Sequence, residues 1–223
     1  MSGSRVISGV SSVSNSFPPI YLILDFPLIR VPLPDLLRGV SAAGVRLLQL
    51  RNKPGTARDN LRYARDIMTF LSGKSGRLIV NDRPDIAMIT GAGGVHVGQD
   101  DLSPMEARMI VGSEAWVGLS THTLEQVRAA DSQPVDYIAI GPIFSTLTKE
   151  KLDPVVGLEF IRAARAITRK PLVAIGGITL QYAREAFAAG ADSLAVARDI
   201  LAAQNPAEQA GNFVAIAEEN CRD

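Results

Sequence analysis

Residues 78–101 read LIVNDRPDIAMITGAGGVHVGQDD, and they contain two short apolar runs that each end in polar and acidic side chains. The runs have the length and composition of buried strands, and the segment between them has the length of a short helix. Strand, helix and strand form a crossover unit whose strands run parallel, so both polar ends emerge on one side of the sheet. The two strands are residues 78–80 and 94–97, and the helix between them is 83–90. The polar ends are Asn81 and Asp82 after the first strand, and Gly98, Gln99, Asp100 and Asp101 after the second. We expect the chemistry of the protein at this edge.

The acidic side chains of this unit are candidates for a metal site. Neighbouring strands lie about 4.8 Å apart, so the Asp82 carboxylate can converge with that of Asp100 or Asp101. Paired carboxylates suit Mg²⁺ that bridges protein oxygens and a phosphate. Helix capping is the alternative, because Asp82 and Asp101 each lie shortly before a proline-containing helix start. Capping does not explain why acids gather at two adjacent strand ends, so Asp82 and Asp101 are interpreted as magnesium ligands.

The rest of the chain repeats the alternation of strand and helix. Eight such units at roughly 25-residue spacing, with uniformly apolar strands, predict a single-domain (β/α)₈ TIM barrel over residues 18–220. A doubly wound open sheet is the alternative, but residues 25–28, DFPL, lack its glycine-rich fingerprint after the first strand. The predicted strands are 20–24, 45–51, 78–80, 94–97, 115–119, 135–140, 171–175 and 193–196. The predicted helices are 33–43, 56–71, 83–90, one from Ser103-Pro104, 124–130, 158–168, 180–189, and further helices to Asn220.

Composition excludes several classes of function. Lys and Arg together number 23, as do Asp and Glu, so no net positive charge attracts nucleic acid or an anionic membrane. No apolar run approaches the roughly 20 residues of a transmembrane helix. Cys221 is the single cysteine, which excludes an intramolecular disulfide and favours a reducing, cytoplasmic location. We expect small-molecule partners and leave a homo-oligomer open.

Residues 1–17 differ in composition from the rest of the chain. They contain seven serines, one arginine and no acidic residue. A transit peptide would share this composition, but the segment has no helical apolar face. We therefore predict a disordered Ser-rich tail.

The active site of a (β/α)₈ barrel lies at the carboxyl ends of its strands. Here those ends combine cations with acids, which favours a polyanionic substrate held through a metal. The candidate residues are Gln49, Arg51 and Lys53; Asn81 and Asp82; Gln99, Asp100 and Asp101; Ser120, Thr121 and His122; Thr146, Thr148 and Lys149; Gly176 and Gly177; and Ala197 and Arg198.

Three of these groups suit phosphate recognition. Gln49, Arg51 and Lys53 alternate along a strand end and project to one face, where an Arg fork and a Lys charge suit a diphosphate. The alternative is a solvated strand end paired with neighbouring acids. Gly176-Gly177 and the helix start after strand 8 match the usual phosphate site of barrel enzymes. Arg198 adds a charge-assisted contact there, or else it is a surface arginine.

The two histidines have different expected functions. His122 has a pKa range suited to acid–base chemistry, but a single histidine at a helix start is more often structural. His96 lies inside strand 4 and is interpreted as a core residue.

At this point the motifs resemble those of the thiamine phosphate synthase family, in the family's order and along nearly the whole of residues 21–217. They are QLRNK at 49–53, VNDRPDIA at 80–87, GVHVGQDDL at 94–102, GLSTHT at 118–123, GPIFSTLTK at 141–149 and AIGGIT at 174–179. The resemblance implies a (β/α)₈ barrel that joins 4-amino-5-hydroxymethyl-2-methylpyrimidine diphosphate to 4-methyl-5-(2-phosphoethyl)thiazole. The products are thiamine phosphate and diphosphate.

The resemblance also implies functions for individual residues. Gln49, Arg51, Lys53, Asn81, Ser120 and Lys149 would hold the pyrimidine diphosphate, and Asp82 and Asp101 would bind Mg²⁺. Thr146, Thr148, Gly177 and the strand 8 end at Ala197 and Arg198 would contact the thiazole phosphate. Lys149, Arg51 and Ser120 are the expected catalytic residues. The implied reaction is dissociative: diphosphate leaves, the pyrimidine methylene becomes a cation, and the thiazole nitrogen captures it.

Two departures and two alternatives accompany this resemblance. Arg198 replaces a small hydroxyl residue, in a segment VARDI where the family has one like VVSAI, and Leu24 replaces a frequent threonine. The related thiazole tautomerases share the barrel but lack the acid pair and the strand 6 lysine, both present here. A catalytically silent, ligand-binding regulator on the same barrel is the other alternative. Metal-dependent release of diphosphate distinguishes the three.

Overall fold

A computed structural model describes residues 17–145 and 154–220. Within these ranges, parallel strands alternate with helices. The strands are β1 Ile20–Asp25, β2 Leu47–Arg51, β3 Arg77–Asn81, β4 Gly94–Val97, β5 Trp116–Thr121, β6 Tyr137–Ile140, β7 Leu172–Ile175 and β8 Ser193–Val196. The helices are α1 Leu33–Ala42, α2 Ala57–Leu71, α3 Pro84–Thr90, α4 Pro104–Val111, α5 Leu124–Asp131, α6 Gly157–Ile167, α7 Leu180–Ala188, α8 Arg198–Leu201 and α9 Pro206–Asn220, with a 3₁₀ turn at Phe26–Leu28.

The sheet is a closed barrel in chain order, because β1 pairs in parallel with both β2 and β8. The predicted single-domain (β/α)₈ barrel is therefore confirmed, and the doubly wound open sheet is wrong. The parallel closure brings all strand carboxyl ends to one rim. The site must be built from the side chains that follow the strands.

Two apolar clusters explain why these strands show no alternation of apolar and polar residues. The larger cluster lies between the barrel and the surrounding helices, where strand residues such as Leu22 and Val95 meet helix residues such as Ile67. A smaller cluster fills the barrel interior and includes Tyr21 and Tyr137. Both faces of each strand are buried, as expected for a parallel barrel.

The amino-terminal end of the barrel is closed by aromatic rings. Phe17 stacks on Trp116 at a centroid distance of 5.0 Å and lies 5.2 Å from the Tyr137 ring. Phe17 therefore belongs with the barrel rather than with the predicted tail of residues 1–17. The tail prediction for residues 1–16 lies outside the described ranges.

Most strand and helix boundaries differ from the predicted ones by one or two residues. β2 begins at Leu47 rather than at residue 45, because Gly44 turns the chain with a φ of 102° and the Val45 amide still bonds to the Val40 carbonyl of α1. After β8 the chain forms the four-residue helix α8 before the longer α9. In the ranges that the structure describes, no helix has the length and apolar character to cross a membrane.

Candidate active site

Asp82 and Asp101 do not cap the helices that follow them. The N-cap of α3 is Arg83, which makes no side-chain capping bond. The N-cap of α4 is Ser103, whose hydroxyl forms a reciprocal capping box with Glu106. The capping alternative is therefore wrong for both aspartates, and their carboxylates need another explanation.

Asp82 occupies an unusual backbone position at the end of β3. Its φ of 59° makes it the one non-glycine residue with positive φ in the described ranges, and its amide donates to the His96 carbonyl at 2.8 Å. Such conformations cost free energy and persist where surrounding structure imposes them, often at functional sites. Asp101 is fixed separately, because its Oδ2 accepts a 2.8 Å hydrogen bond from the Gly98 amide.

The two carboxylates influence each other. Burial, followed by repulsion from the Asp101 carboxylate and a hydrogen bond with it, raises the pKa of Asp82 to about 6. The charges of Lys53 and Arg51 act in the opposite direction, and the Lys53 Nζ lies 3.9 Å from Asp82 Oδ2. A raised pKa between two facing carboxylates indicates a place where a bound cation would relieve repulsion.

This donor set fits Mg²⁺ that is shared with a substrate. Mg²⁺ in proteins is usually held by one or two carboxylates, with waters and substrate phosphates completing its octahedron. In residues 17–145 and 154–220, no group of three or more Asp, Glu, His or Cys side chains is placed to hold a metal without such help. Asp82 and Asp101 would therefore hold the ion together with a phosphorylated ligand.

Arg51 is oriented by Asp25, a residue that the sequence analysis did not assign to the site. The two residues are partners in the β1–β2 register, and Arg51 Nη1 donates to Asp25 Oδ1 at 2.8 Å. Asp25 is only 4% exposed. A charge-assisted bond from so buried a carboxylate fixes one edge of the guanidinium fork. The other donors of Arg51 can then face the mouth of the barrel.

We expect Asp25→Asn to reduce kcat/KM for a diphosphate substrate about 10- to 100-fold, since it removes a charge-assisted bond of roughly 1.5–3 kcal/mol. The side-chain shape is preserved, so the melting temperature should change less than the activity. Steady-state kinetics and thermal melting measure both. Asp35→Asn, in the exposed Asp35–Arg38 pair, is the matched control. An Asp25→Asn enzyme with unchanged kinetics would show that Asp25 does not orient Arg51 for binding.

Gln49 and Ser120 lie at opposite ends of a set of hydrogen-bonded polar side chains inside the barrel. Gln49 is 2% exposed and donates to the Tyr21 hydroxyl at 2.8 Å. Ser120 Oγ lies 2.8 Å from His96 Nε2. His96 is 5% exposed, as expected for a core residue, and its ring nitrogens are hydrogen bonded to polar side chains.

Two neighbouring cavities open at this rim. The larger, of about 610 Å³, is lined by Arg51 together with Gly177, Ala197 and Arg198. The smaller, of about 310 Å³, is lined by Lys53, Asn81 and Asp82 among others. Gln49, Ser120 and Asp101 are absent from the described lining of both cavities. The structure therefore brings Arg51, Lys53, Asn81 and Asp82 to one region and puts the strand 7 and 8 residues on the far side of the larger cavity.

Gly176 and Gly177 follow β7 and have φ values of 92° and 65°. A Cβ at Gly176 would lie 2.6 Å from Pro142 Cα, and one at Gly177 would lie 2.8 Å from the Phe144 carbonyl carbon. Only glycine allows this close approach of the strand 7 end to the strand 6 end. Arg198 is the exposed first residue of the four-residue helix α8.

His122 bonds to the backbone just after β6 and to a side chain of α5. The His122 Nδ1 lies 2.5 Å from the Gly141 carbonyl oxygen, and its amide donates to Gln126 Oε1. These contacts tie β5 to the end of β6 and agree with a structural function. Thr146, Thr148 and Lys149 lie outside the described residues.

The chain is similar to several known proteins. A family model described as thiamine monophosphate synthase matches residues 20–200. The chain is 49% identical over 205 residues to a thiamine-phosphate synthase of Koribacter versatilis, a match that covers 89% of this chain and 95% of the relative. It is 42% identical over 188 residues to the thiamine-phosphate synthase of Albidiferax ferrireducens, covering 84% and 86% of the two chains.

Solved structures show the same relationship. A thiamine phosphate pyrophosphorylase from Pyrococcus furiosus superposes with a TM-score of 0.82 at 28% identity, covering 91% of this chain and 96% of that one. A 3-hexulose-6-phosphate synthase from Salmonella typhimurium, at a TM-score of 0.70 and 16% identity, shares the fold alone. With its sequence match over residues 20–200 and these full-length relatives, the chain belongs to the thiamine monophosphate synthase family.

Proposed function

We propose that this protein joins 4-amino-5-hydroxymethyl-2-methylpyrimidine diphosphate to 4-methyl-5-(2-phosphoethyl)thiazole and releases diphosphate and thiamine phosphate. The observation that carries the proposal is the meeting of the Asp82 and Asp101 carboxylates beside Arg51 and Lys53. Two acids and two cations at one rim suit a diphosphate held through a divalent ion. The relatives support a transferase of thiamine biosynthesis that releases diphosphate. Its single cysteine supports a cytoplasmic location.

The pyrimidine diphosphate would lie across the ends of β2 to β5. Arg51 and Lys53 offer positive charge to the diphosphate, and Asn81 lines the same small cavity as Lys53 and Asp82. Lys149 is assigned to the same group by its motif position. Gln49 and Ser120, held inside the barrel, would contact the pyrimidine ring.

Asp82 and Asp101 would hold Mg²⁺ beside the diphosphate. When bound, the ion would supply electrostatic stabilisation to the negative charge that grows on the leaving diphosphate. Arg51, Lys53 and Lys149 would act on the same charge. None of these groups activates a nucleophile, which agrees with a reaction that begins by loss of the leaving group.

The carbon–oxygen bond between the pyrimidine methylene and the diphosphate would break first, and the bonding electrons leave with the diphosphate. The methylene cation is stabilised by the aminopyrimidine ring. The thiazole nitrogen then donates its lone pair to form the carbon–nitrogen bond. Interactions that strengthen as charge separates raise kcat, because they are stronger in the transition state than in the ground state.

The thiazole phosphate would occupy the larger cavity. Gly177, Ala197 and Arg198 line that cavity on the side of β7 and β8, and Arg51 lines it on the side of β2. Thr146 and Thr148 are assigned to the same ligand by their motif position. This arrangement would set the thiazole beside the pyrimidine methylene.

We expect Arg198→Ser to raise the KM for the thiazole phosphate about 10- to 100-fold, because a charge-assisted hydrogen bond contributes roughly 1.5–3 kcal/mol. The KM for the pyrimidine diphosphate should stay unchanged. Steady-state kinetics with each substrate varied in turn measure the two values, and Arg184→Ser, in the exposed Arg184–Glu219 pair, is the control. A lower KM for the thiazole phosphate would mean that Arg198 obstructs the cavity.

One assay tests the proposed function as a whole. Purified protein is mixed with both substrates and Mg²⁺, and thiamine phosphate and diphosphate are measured together. Equal amounts of the two products, lost on chelation of Mg²⁺, support the synthase. Conversion of a thiazole phosphate without diphosphate release would indicate a tautomerase, and binding without any conversion would indicate a silent regulator.

A further inference from the structure

A chain of four hydrogen bonds crosses the barrel interior. Gln49 Nε2 lies 2.8 Å from the Tyr21 hydroxyl, which lies 2.9 Å from the Tyr137 hydroxyl. The Tyr137 hydroxyl lies 3.0 Å from His96 Nδ1, and His96 Nε2 lies 2.8 Å from Ser120 Oγ. The five residues come from β2, β1, β6, β4 and β5. The ends of this chain are the two residues proposed to contact the pyrimidine ring, but its three middle members have no place in the reaction described above.

The middle members are shielded from water. Tyr21, Tyr137 and His96 are at most 5% exposed. Burial raises the pKa of the Tyr21 and Tyr137 hydroxyls above their ordinary value, so both phenols keep their hydrogens at neutral pH. Each phenol has one hydrogen and can donate one hydrogen bond. A buried phenol that accepts from one neighbour in the chain donates its hydrogen to the other, since that hydrogen would otherwise lack an acceptor, so the direction of one bond determines the direction of the next.

The direction follows from the Gln49 amide. Its Nε2 can only donate, so the Tyr21 hydroxyl accepts from Gln49 and donates to Tyr137. Tyr137 then donates to His96 Nδ1, which must be an unprotonated acceptor. A neutral imidazole with Nδ1 unprotonated has its hydrogen on Nε2, and this hydrogen points to Ser120 Oγ.

We infer that Tyr21, Tyr137 and His96 are positioning residues that hold His96 as the Nε2–H tautomer and direct the Ser120 hydroxyl hydrogen toward the pyrimidine site. The inference deepens the proposed function and rests on it for the identity of the ligand. Ser120 Oγ accepts from His96 at 2.8 Å, so its own hydrogen is available to a ligand acceptor. At the other end, one of the two Gln49 amide hydrogens is donated to Tyr21, and the amide oxygen is the acceptor for a ligand donor.

This polarity selects the chemistry of the ligand ring. An aminopyrimidine presents an amino group that donates and a ring nitrogen that accepts, which complements the Gln49 oxygen and the Ser120 hydroxyl. The corresponding oxopyrimidine presents an oxygen that accepts and a ring N–H that donates. Leaving such polar groups mismatched in a buried site is costly, so the oxopyrimidine diphosphate should be rejected.

The opposite polarity is a distinct alternative with an observable difference. If the Gln49 amide were rotated, its oxygen would accept from Tyr21 and every later bond would reverse. His96 would then have its hydrogen on Nδ1, and Ser120 would donate to Nε2. The histidine tautomer therefore reports the direction of the whole chain.

The first experiment is ¹⁵N NMR of protein labelled at histidine, recorded without substrate. The chain has two histidines, so His122→Asn assigns the His96 signals. Two-bond ¹H–¹⁵N correlations should show the Nε2–H tautomer for His96 at neutral pH. An Nδ1–H tautomer or a charged ring would overturn the inference. Because no substrate is present, this result does not depend on whether the proposed reaction occurs.

The second experiment removes single hydroxyl groups. Tyr137→Phe and Tyr21→Phe retain the aromatic ring, and each removes the Tyr21–Tyr137 bond together with the bond to His96 or to Gln49, respectively. In Tyr137→Phe the His96 tautomer should become mixed, and the KM for the pyrimidine diphosphate should rise about 3- to 10-fold, the effect of one neutral hydrogen bond. The KM for the thiazole phosphate should stay constant, and the discrimination against the oxopyrimidine diphosphate should fall.

Tyr63→Phe is the matched control, since Tyr63 lies on α2 and packs against Phe26. If Tyr21→Phe and Tyr137→Phe both fold and leave the tautomer and the kinetics unchanged, the positioning function is wrong. If one of these two variants fails to fold, the His96 tautomer of the wild-type protein and the result for the other variant test the positioning function. A wild-type protein with the Nε2–H tautomer but no thiamine phosphate synthesis would leave the hydrogen-bond chain intact and reject the proposed function.

Discussion

Asp82→Asn and Asp101→Asn are each expected to reduce turnover roughly 1,000-fold or more, because a bound metal contributes several kcal/mol of transition-state stabilisation in such reactions. Each variant removes one of the two negative charges that face each other at the ends of β3 and β4. Mg²⁺ would then be held by a single carboxylate against a highly charged diphosphate. Turnover should fall even when the pyrimidine diphosphate is saturating.

Asparagine is the informative substitution at both positions. Asp82 has a φ of 59°, which asparagine adopts more readily than alanine, so Asp82→Asn changes the charge without adding backbone strain. At Asp101, an asparagine oxygen can still accept from the Gly98 amide. Loss of activity in these variants is therefore attributable to the metal site rather than to the fold.

Asp100→Asn is the control, since Asp100 is an exposed acid adjacent to Asp101. Thiamine phosphate formation is measured over a Mg²⁺ titration, and binding of Mn²⁺ in the presence of diphosphate is followed separately by electron paramagnetic resonance. The site variants should lose Mn²⁺ affinity and the control should retain it. Near-normal turnover of either site variant at low Mg²⁺ would reject the metal assignment.

The barrel was predictable because its signal is repeated. Each strand is a short apolar run, α2, α4 and α5 begin with capping boxes, and eight repetitions leave few alternatives. The convergence of Asp82 and Asp101 was predictable for the same reason, since parallel neighbours end on one rim. The contact that distinguishes Asp101 from Asp100 was not predictable, because it depends on how the turn after β4 folds back, with the Gly98 amide bonded to Asp101.

Two parts of the site were not predictable from one sequence. Asp25 is the last residue of β1, in a segment without any recognisable motif, and its partnership with Arg51 depends on the register between β1 and β2. His96 lies within an apolar strand, where the pattern indicates burial but not partners. Its bonds to Tyr137 and Ser120 join residues 41 and 24 positions away. A deeply buried acid or histidine near a strand end can be recognised as part of a site only after the pairing of the strands is known.

Gly118 is the other position where a small change should have a large effect. It lies in β5 beside Tyr137 in the register with β6, and the Tyr137 ring passes over it into the barrel. A Cβ at Gly118 would lie 2.5 Å from Tyr137 Cε1 and closer still to the Cζ and hydroxyl oxygen. The ring has little room to move, because Phe17 and Tyr21 lie within 5.2 Å and 5.9 Å of it between centroids.

We therefore expect Gly118→Ala to destabilise the fold by about 1–3 kcal/mol through overpacking, which corresponds to a fall in melting temperature of roughly 2–12 °C. The displaced Tyr137 hydroxyl should also release His96 Nδ1, so the folded fraction of the variant should bind the pyrimidine diphosphate more weakly.

Gly211→Ala is the control, and its effect on stability should have the opposite sign. It lies in α9 with the nearest atom outside its own helix 3.9 Å from a new Cβ, so alanine should stabilise the helix by up to about 1 kcal/mol. Thermal melting and substrate titration of both variants test this directly, and equal stability of Gly118→Ala and the wild type would show that the Tyr137 ring is not confined.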